Sequence, residues 1–121
     1  MQIEVTQVAT EIQKCISQLT VAIKEVKERA IRLAEAIANY DRQMAVTMMQ
    51  LKNGMEFELD GVKIKDVTAT NMERFAKGIC WQPKLNMEEA EALYKSSITY
   101  IETVKAQLNG WQSINRYLES R

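Results

Sequence analysis

Cationic and aromatic side chains alternate in the segment from residue 74 to residue 84. The candidate ligand-binding residues in it are Arg74, Phe75, Trp81 and Lys84. An aromatic ring can stack against a planar base, and a guanidinium or ammonium group can hold a phosphate. The competing interpretation is that the two rings belong to the core while the charged side chains are solvated. The segment is compatible with both interpretations.

A second candidate cluster of polar side chains lies near the end of the chain. Gln112, Ser113, Asn115 and Arg116 supply amide, hydroxyl and guanidinium groups. Residues three and four apart share one face of a helix, so Gln112, Asn115 and Arg116 are predicted to lie side by side. Two interpretations stay open. The face is a ligand pocket between subunits, or Asn115 fixes the register of a helix interface, as single buried asparagines do.

The chain lacks the residues that most catalytic and metal sites require. It contains no histidine, the commonest general base and zinc ligand. Its four glycines are too scattered to form a phosphate-binding loop. Cys15 and Cys80 have no CxxC partner, so we predict that both are reduced, and Cys80, with no histidine to activate it, is predicted to be a small core thiol. The sequence therefore predicts a protein that is not an enzyme and that uses no cofactor or metal.

Two apolar rows with seven-residue spacing predict one long helix over about residues 3–52. The first row contains Val5, Ile12, Leu19, Val26, Leu33 and Tyr40, and the second contains Ile16, Ile23, Ala30, Ile37, Met44 and Leu51. Together they form the stripe that is typical of a coiled-coil seam. At about 1.5 Å per residue this helix would be roughly 70 Å long, more than a compact domain of this size can cover. A second copy of the chain is therefore expected to cover part of the stripe.

A β-hairpin and a short helix are predicted to follow the long helix. Asn53-Gly54 is expected to end that helix, and alternating apolar and charged residues around Asp60-Gly61 predict a hairpin over about residues 55–66. Thr70 with Glu73 predicts a capping box that opens a short helix over about residues 71–78, and Gly78 is expected to close it.

The last predicted helix spans about residues 87–119, opened by Asn86 with Glu89 after a connector that contains Trp81 and Pro83. Its two rows with seven-residue spacing are Met87, Tyr94, Ile101, Leu108 and Asn115, and Ala90, Ser97, Val104, Trp111 and Leu118. These rows suit antiparallel packing against the first helix. The predicted fold is mainly α with a small β-hairpin (α+β), in a single domain that forms oligomers.

Composition limits the partners of this chain. It has 16 Lys and Arg residues and 16 Asp and Glu residues, so its formal net charge is zero and nucleic acid would need a local basic patch. No segment approaches the roughly 20 apolar residues that span a bilayer. The first residues do not have the pattern of an export signal. We expect a cytoplasmic protein that does not associate with membranes.

Several stretches together resemble a family of small phage and prophage proteins from Gram-positive bacteria. They are Ala38-Asn39-Tyr40-Asp41, LKNG and LDG around the hairpin, KGICWQ, and the ending KAQLNGWQSINRYLE. Within that group the chain is similar to the first type of Thoeris anti-defence protein. The resemblance implies a sponge that binds cyclic ADP-ribose isomers, made by host TIR-domain defence enzymes, without cleaving them. It also implies pockets between subunits that use aromatic stacking and arginines.

The main functional prediction is therefore sequestration of a cyclic nucleotide signal in an infected or lysogenic bacterium. The adenine would stack on Trp81 or Phe75. One of three cations would hold the pyrophosphate: Arg74, Lys84 or Arg116. Ser113 and Asn115 would bind ribose hydroxyls. These assignments come from side-chain chemistry and are not carried over from the family. The alternatives are a phage replication or recombination accessory protein that binds single-stranded DNA or a protein partner, and a direct protein inhibitor of a host defence enzyme.

Overall fold

The computed structural model describes residues 3–120 and is mainly helical with one small β-hairpin, which confirms the predicted fold class at this level. In chain order the elements are helix α1 (Val5–Lys52), strands β1 (Phe57–Leu59) and β2 (Val62–Ile64), a 3₁₀ turn (Ala69–Asn71), helix α2 (Met72–Ile79) and helix α3 (Trp81–Glu119). In this part of the chain, no helix is long and apolar enough to cross a membrane.

Helix α1 ends as its sequence predicts. Gly54 has a φ of 83°, a conformation that glycine adopts without the steric cost of a Cβ atom. The amide of Gly54 donates to the Leu51 carbonyl at 3.1 Å, and the amide of Met55 donates to the Gln50 carbonyl at 3.0 Å. This pair of hydrogen bonds forms a Schellman motif, which satisfies two carbonyl groups at the end of the helix.

The hairpin is also formed as predicted. Asp60 and Gly61 have φ values of 50° and 80°, the two positive values that a type I′ turn requires. Phe57 pairs with Ile64 and Leu59 pairs with Val62 across the antiparallel strands. Three of these four side chains are buried or half-buried, whereas Val62 is exposed.

The capping box predicted at the start of α2 is wrong. Thr70 lies inside the 3₁₀ turn, and Asn71 is the residue that precedes the helix, without a side-chain capping bond. The Asn71 amide group donates instead to the Thr68 hydroxyl at 3.2 Å. Because Thr70 is part of the 3₁₀ turn, it does not occupy the position directly before α2 and cannot cap that helix.

Gly78 does not close α2, which continues to Ile79. A Cβ atom added at Gly78 would lie 3.3 Å from the Leu59 side chain. Glycine at this position therefore allows close approach between α2 and β1, which differs from the predicted helix-ending role.

Helix α3 begins at Trp81, six residues before the predicted start at 87, so the predicted connector is wrong. Pro83 is the third residue of the helix, where its missing N–H would have no partner within the helix. Asn86 lies inside α3 and accepts a hydrogen bond from Gln82 at 3.1 Å, so it does not open the helix with Glu89.

The chain divides into two compact units, each described by itself below. The hairpin unit is Ile31–Ala92, and the two-helix unit combines the residues up to Ala30 with those from Leu93 onward. The prediction that the chain is a single domain stays a prediction.

The core of the hairpin unit brings together one end of α1, the hairpin and α2. Leu51, Ile64 and Ala76 are buried in it. The half-buried residues packed around them are Met44, Met48, Phe57, Leu59, Val67, Met72 and Ile79. Cys80 is 3% exposed in the same unit, and its sulfur lies 3.3 Å from the Thr47 hydroxyl, which confirms the prediction of a core thiol.

The core of the two-helix unit is small. Val8, Cys15 and Ala22 are buried on α1, and Ser97 and Val104 are buried on α3. Cys15 is therefore a core thiol as well, a position that the sequence analysis did not assign to it. The three α1 residues form a row with seven-residue spacing that the sequence reading missed.

The predicted rows on the two long helices have different outcomes. On α3, every residue of both predicted rows is buried or half-buried. On α1, the first row is half-buried except for Val5, which is 58% exposed. In the second row, Ile16, Ile23 and Ile37 are exposed within the single chain, and the expectation that a second copy covers part of this stripe stays a prediction. Within the chain, the row through Cys15 and Ala22 is buried, because small side chains let helices approach closely.

Candidate functional site

The first predicted cluster lies on α2 and the first turn of α3, within the hairpin unit. Arg74 and Lys84 are exposed, and the Phe75 and Trp81 rings are 39% and 54% exposed. The interpretation of the two rings as core residues is therefore wrong, and their surfaces are accessible to a ligand. The ligand-binding role of the four residues stays a prediction.

Lys84 already has two neighbours in this unit. Its ammonium nitrogen lies 5.3 Å from the centre of the Tyr40 ring and 3.6 Å from a carboxylate oxygen of Glu88. The first contact is a cation–π interaction and the second is an exposed ion pair of the kind that contributes little to stability. A phosphate could replace Glu88 as the partner of Lys84 at low energetic cost.

The second predicted cluster lies on α3 within the two-helix unit. Gln112, Asn115 and Arg116 line a surface depression of about 330 Å³, which we call the C-terminal groove. The Arg116 guanidinium donates to the Ser113 hydroxyl at 3.4 Å, and the Asn115 amide donates to Glu119 at 3.1 Å. The four predicted residues are therefore neighbours, and they keep amide, hydroxyl and guanidinium groups on one helix surface.

A third region, which the sequence reading missed, is a groove between the two helices of this unit. We call it the Tyr100 groove. It consists of two cavities of about 390 and 270 Å³ that share Ala22, Glu25 and Tyr100. The other lining residues are Ser17, Gln18, Val21, Arg29, Ser96 and Ser97.

Arg29 holds one end of the Tyr100 groove. It donates to the backbone carbonyl of Leu93 at 2.9 Å and forms an ion pair with Glu25. The Tyr100 ring is 46% exposed in the same groove. The groove therefore offers an accessible ring, neutral hydrogen-bonding groups and an arginine whose charge is balanced by a neighbouring carboxylate.

One signal in the sequence could have revealed this groove. Arg29 continues the spacing of Val8, Cys15 and Ala22, so an arginine stands where the next buried residue of that row would be expected. The small side chains of this row made it weaker in hydrophobicity than the row through Ile16 and Ile23. The hydrophobicity pattern therefore favours the row through Ile16 and Ile23 over the row that is buried within the chain.

The predicted site combined residues of both units. Arg74, Phe75, Trp81 and Lys84 belong to the hairpin unit, and Gln112, Ser113, Asn115 and Arg116 belong to the two-helix unit. Only the second set is brought together, by the C-terminal groove and the bond between Arg116 and Ser113, and one ligand site that uses both sets stays a prediction. Among residues 3–120, no group of three or more Cys, Asp or Glu side chains could hold a metal ion.

Comparisons of the chain with protein-family models, with curated proteins and with solved structures gave no match. A functional proposal therefore depends on the residues themselves and on the resemblance described above.

Proposed function

We propose that this protein is a cytoplasmic, non-catalytic binding protein that self-associates and sequesters a cyclic nucleotide signal of the cyclic ADP-ribose type. The observation that carries the proposal is the C-terminal groove, where Gln112, Asn115 and Arg116 lie together beside Ser113. These side chains bind and orient polar ligands, and none of them needs a histidine or a metal to do so.

The groups in the C-terminal groove suit the parts of such a ligand. The Arg116 guanidinium has five N–H donors, of which the contact with Ser113 uses one, so it can also grip a pyrophosphate. Amide and hydroxyl groups such as those of Gln112 and Ser113 bind ribose hydroxyls. The exposed rings of Phe75 and Trp81 belong to the hairpin unit, and their accessibility would suit stacking of an adenine on that unit.

A second copy of the chain is part of this proposal. The residues that line the C-terminal groove come from α3 alone, so a ligand lying there would have one wall. Ligand sites usually bury most of the ligand surface between several walls. A neighbouring subunit would supply the missing wall, as the resemblance to the sponge family implies.

Native mass spectrometry of the purified protein, alone and with cyclic ADP-ribose isomers or cyclic dinucleotides, tests this function. We expect discrete oligomers that gain one ligand mass per interface, and ligand that is recovered intact after heating. Oligomers without added mass would contradict sequestration, and a cleaved product would contradict the non-catalytic mechanism.

Substitution of Arg116 tests the role of the C-terminal groove. Arg116→Gln removes the cation that would bind the pyrophosphate, so we expect the ligand affinity measured by titration calorimetry to fall by roughly 30-fold. The matched control is Arg42→Gln, which changes an exposed arginine of α1 in the hairpin unit and should leave the affinity unchanged. Equal affinities for the two variants would exclude Arg116 from the site.

A second candidate function is supported by the exposure of Phe75 and Trp81 beside Arg74 and Lys84. Bases of single-stranded DNA can stack on exposed rings, and neighbouring cations can neutralise its phosphates. A replication or recombination accessory protein of this kind would bind oligothymidylate with an affinity that falls steeply as salt increases, because phosphate contacts release counterions. Fluorescence anisotropy at two salt concentrations distinguishes this function from sequestration of a cyclic nucleotide.

A further inference from the structure

The two-helix unit has a half-covered apolar row beside each of its buried rows. On α1, Ile12, Leu19 and Val26 follow the buried Val8, Cys15 and Ala22 by four residues, and all three are half-buried. On α3, Ile101 and Leu108 follow the buried Ser97 and Val104 by four residues, and both are half-buried. Each helix therefore carries more apolar surface than the other helix of the unit covers.

The contacts along this unit indicate that its helices run in opposite directions. Arg29 on α1 donates to the carbonyl of Leu93 on α3. Ser17, twelve residues before Arg29 on α1, shares a cavity with Tyr100, which is seven residues after Leu93 on α3. In an antiparallel pair, residues that follow the buried row by the same number of positions on each helix lie on the same side of the pair. The half-covered rows of α1 and α3 therefore lie on one side, and the Tyr100 groove lies on the other.

Further apolar residues extend the half-covered side. Ile16 and Ile23 lie beyond Leu19 and Val26 on α1 and are 43% and 48% exposed. Ile98 is half-buried next to the buried Ser97 on α3. We call this side the open face and define it by Ile16, Leu19, Ile23, Val26, Ile98 and Ile101.

We propose that the open face binds the open face of a second copy of this chain, so that the two pairs of helices form a four-helix arrangement about a twofold axis. This inference deepens the self-association part of the proposed function and rests on it. It assigns the contact to one face and leaves the Tyr100 groove and its charged Arg29 and Glu25 facing solvent.

Three properties of the unit favour a second copy as the occupant. The apolar rows keep seven-residue spacing, and helices pack along such rows against partners with the same spacing, which a copy provides. The side of the helix pair that carries the open face measures roughly 39 by 20 Å for helices of about 26 residues, so full contact with a second copy would cover about 800 Å², the area that each partner buries in a stable complex. The formal net charge of zero means that two copies do not repel each other as whole molecules.

A pair of lysine substitutions on the same helix tests the open face. Ile23→Lys places a charge in the centre of the proposed interface, whereas Val21→Lys places it on the Tyr100 groove, where Val21 is already 68% exposed. Analytical ultracentrifugation should show that Ile23→Lys weakens the dimer by about 100-fold and that Val21→Lys has no effect. Circular dichroism of both variants checks that the helices remain folded.

Ile23→Ala provides a second measurement that adds no charge, and it should weaken the dimer by about tenfold. If the wild type self-associates and both Ile23 variants associate equally well, the dimer contact does not lie on the open face, while the proposed function stands. If the wild type remains monomeric, self-association and the open-face inference both fail, and a partner of different sequence becomes the occupant to test. Ligand binding by such a monomer would still support sequestration.

Discussion

Two glycines, Gly54 just past the end of α1 and Gly110 inside α3, have opposite conformational roles. Gly54 adopts a φ of 83° at the end of α1, where its amide completes the Schellman motif. Gly110 lies inside α3, and a Cβ atom added there would meet nothing within 4 Å. The first position needs glycine for its backbone conformation, whereas the second has a helical backbone that alanine prefers.

Alanine substitutions at these glycines should therefore change stability in opposite directions. We expect Gly54→Ala to lower the free energy of unfolding by about 1 kcal/mol, because a Cβ atom is strained in the left-handed conformation. We expect Gly110→Ala to raise it by up to about 1 kcal/mol, because alanine is the better helix former. Equilibrium urea denaturation measures both changes. Destabilisation by Gly110→Ala would indicate a contact at that position.

Residues with local roles were predictable from the sequence, and residues with distant partners were not. The positive φ values at Gly54, Asp60 and Gly61 follow from turn chemistry that adjacent residues specify. Gly78 also looked like a helix end, but its role depends on the Leu59 side chain on the hairpin. The role of Arg29 likewise depends on the carbonyl of Leu93 on another helix.

The long helices show which part of packing the sequence determines at the level of elements. Seven-residue spacing correctly predicted both α1 and the covered rows of α3. It did not determine which flank of α1 is covered, since apolar residues lie on both flanks of the row through Leu19. The smaller Cys15 and Ala22 are buried and the larger Ile16 and Ile23 are exposed, because close approach of helices favours small side chains.

The predicted start of α3 was wrong because the segment that contains Trp81 and Pro83 was interpreted as a connector. Pro83 has no backbone N–H to donate to the carbonyl four residues earlier. An N–H at the third position of a helix has no partner within the helix, so proline costs no hydrogen bond there. Lys84 donates from its backbone amide to the Cys80 carbonyl at 3.2 Å, which begins the first turn. The helix therefore incorporates Trp81 and Lys84, two residues that the sequence reading had placed in or near a connector.

Removal of the Arg29 side-chain charge should loosen the two-helix unit. Arg29→Met keeps the length of the side chain but loses the bond to the Leu93 carbonyl and the ion pair with Glu25, so we expect a loss of about 1 kcal/mol. The matched control is Arg32→Met, at an exposed arginine one turn later, which should have little effect. Urea denaturation of both variants gives the comparison, and an equal loss in both would show that the Leu93 contact contributes nothing.

At the scale of the whole molecule, self-association should be visible as concentration-dependent stability. If copies bind through the folded state, mass action raises the Tm as the protein concentration increases. We expect differential scanning calorimetry to show this rise for the wild type and for Val21→Lys, and a constant Tm for Ile23→Lys. A constant Tm for all three proteins would contradict the proposed self-association.

The two compact units each contain one cysteine, Cys15 in the two-helix unit and Cys80 in the hairpin unit, and each is 3% exposed. A thiol reagent reaches a buried sulfur only when the surrounding structure opens. The rate at which each cysteine is modified in the native protein therefore measures the opening of its own unit. Timed alkylation followed by peptide mass spectrometry would resolve the two rates in one sample, so the natural sequence already contains a separate kinetic probe for each unit.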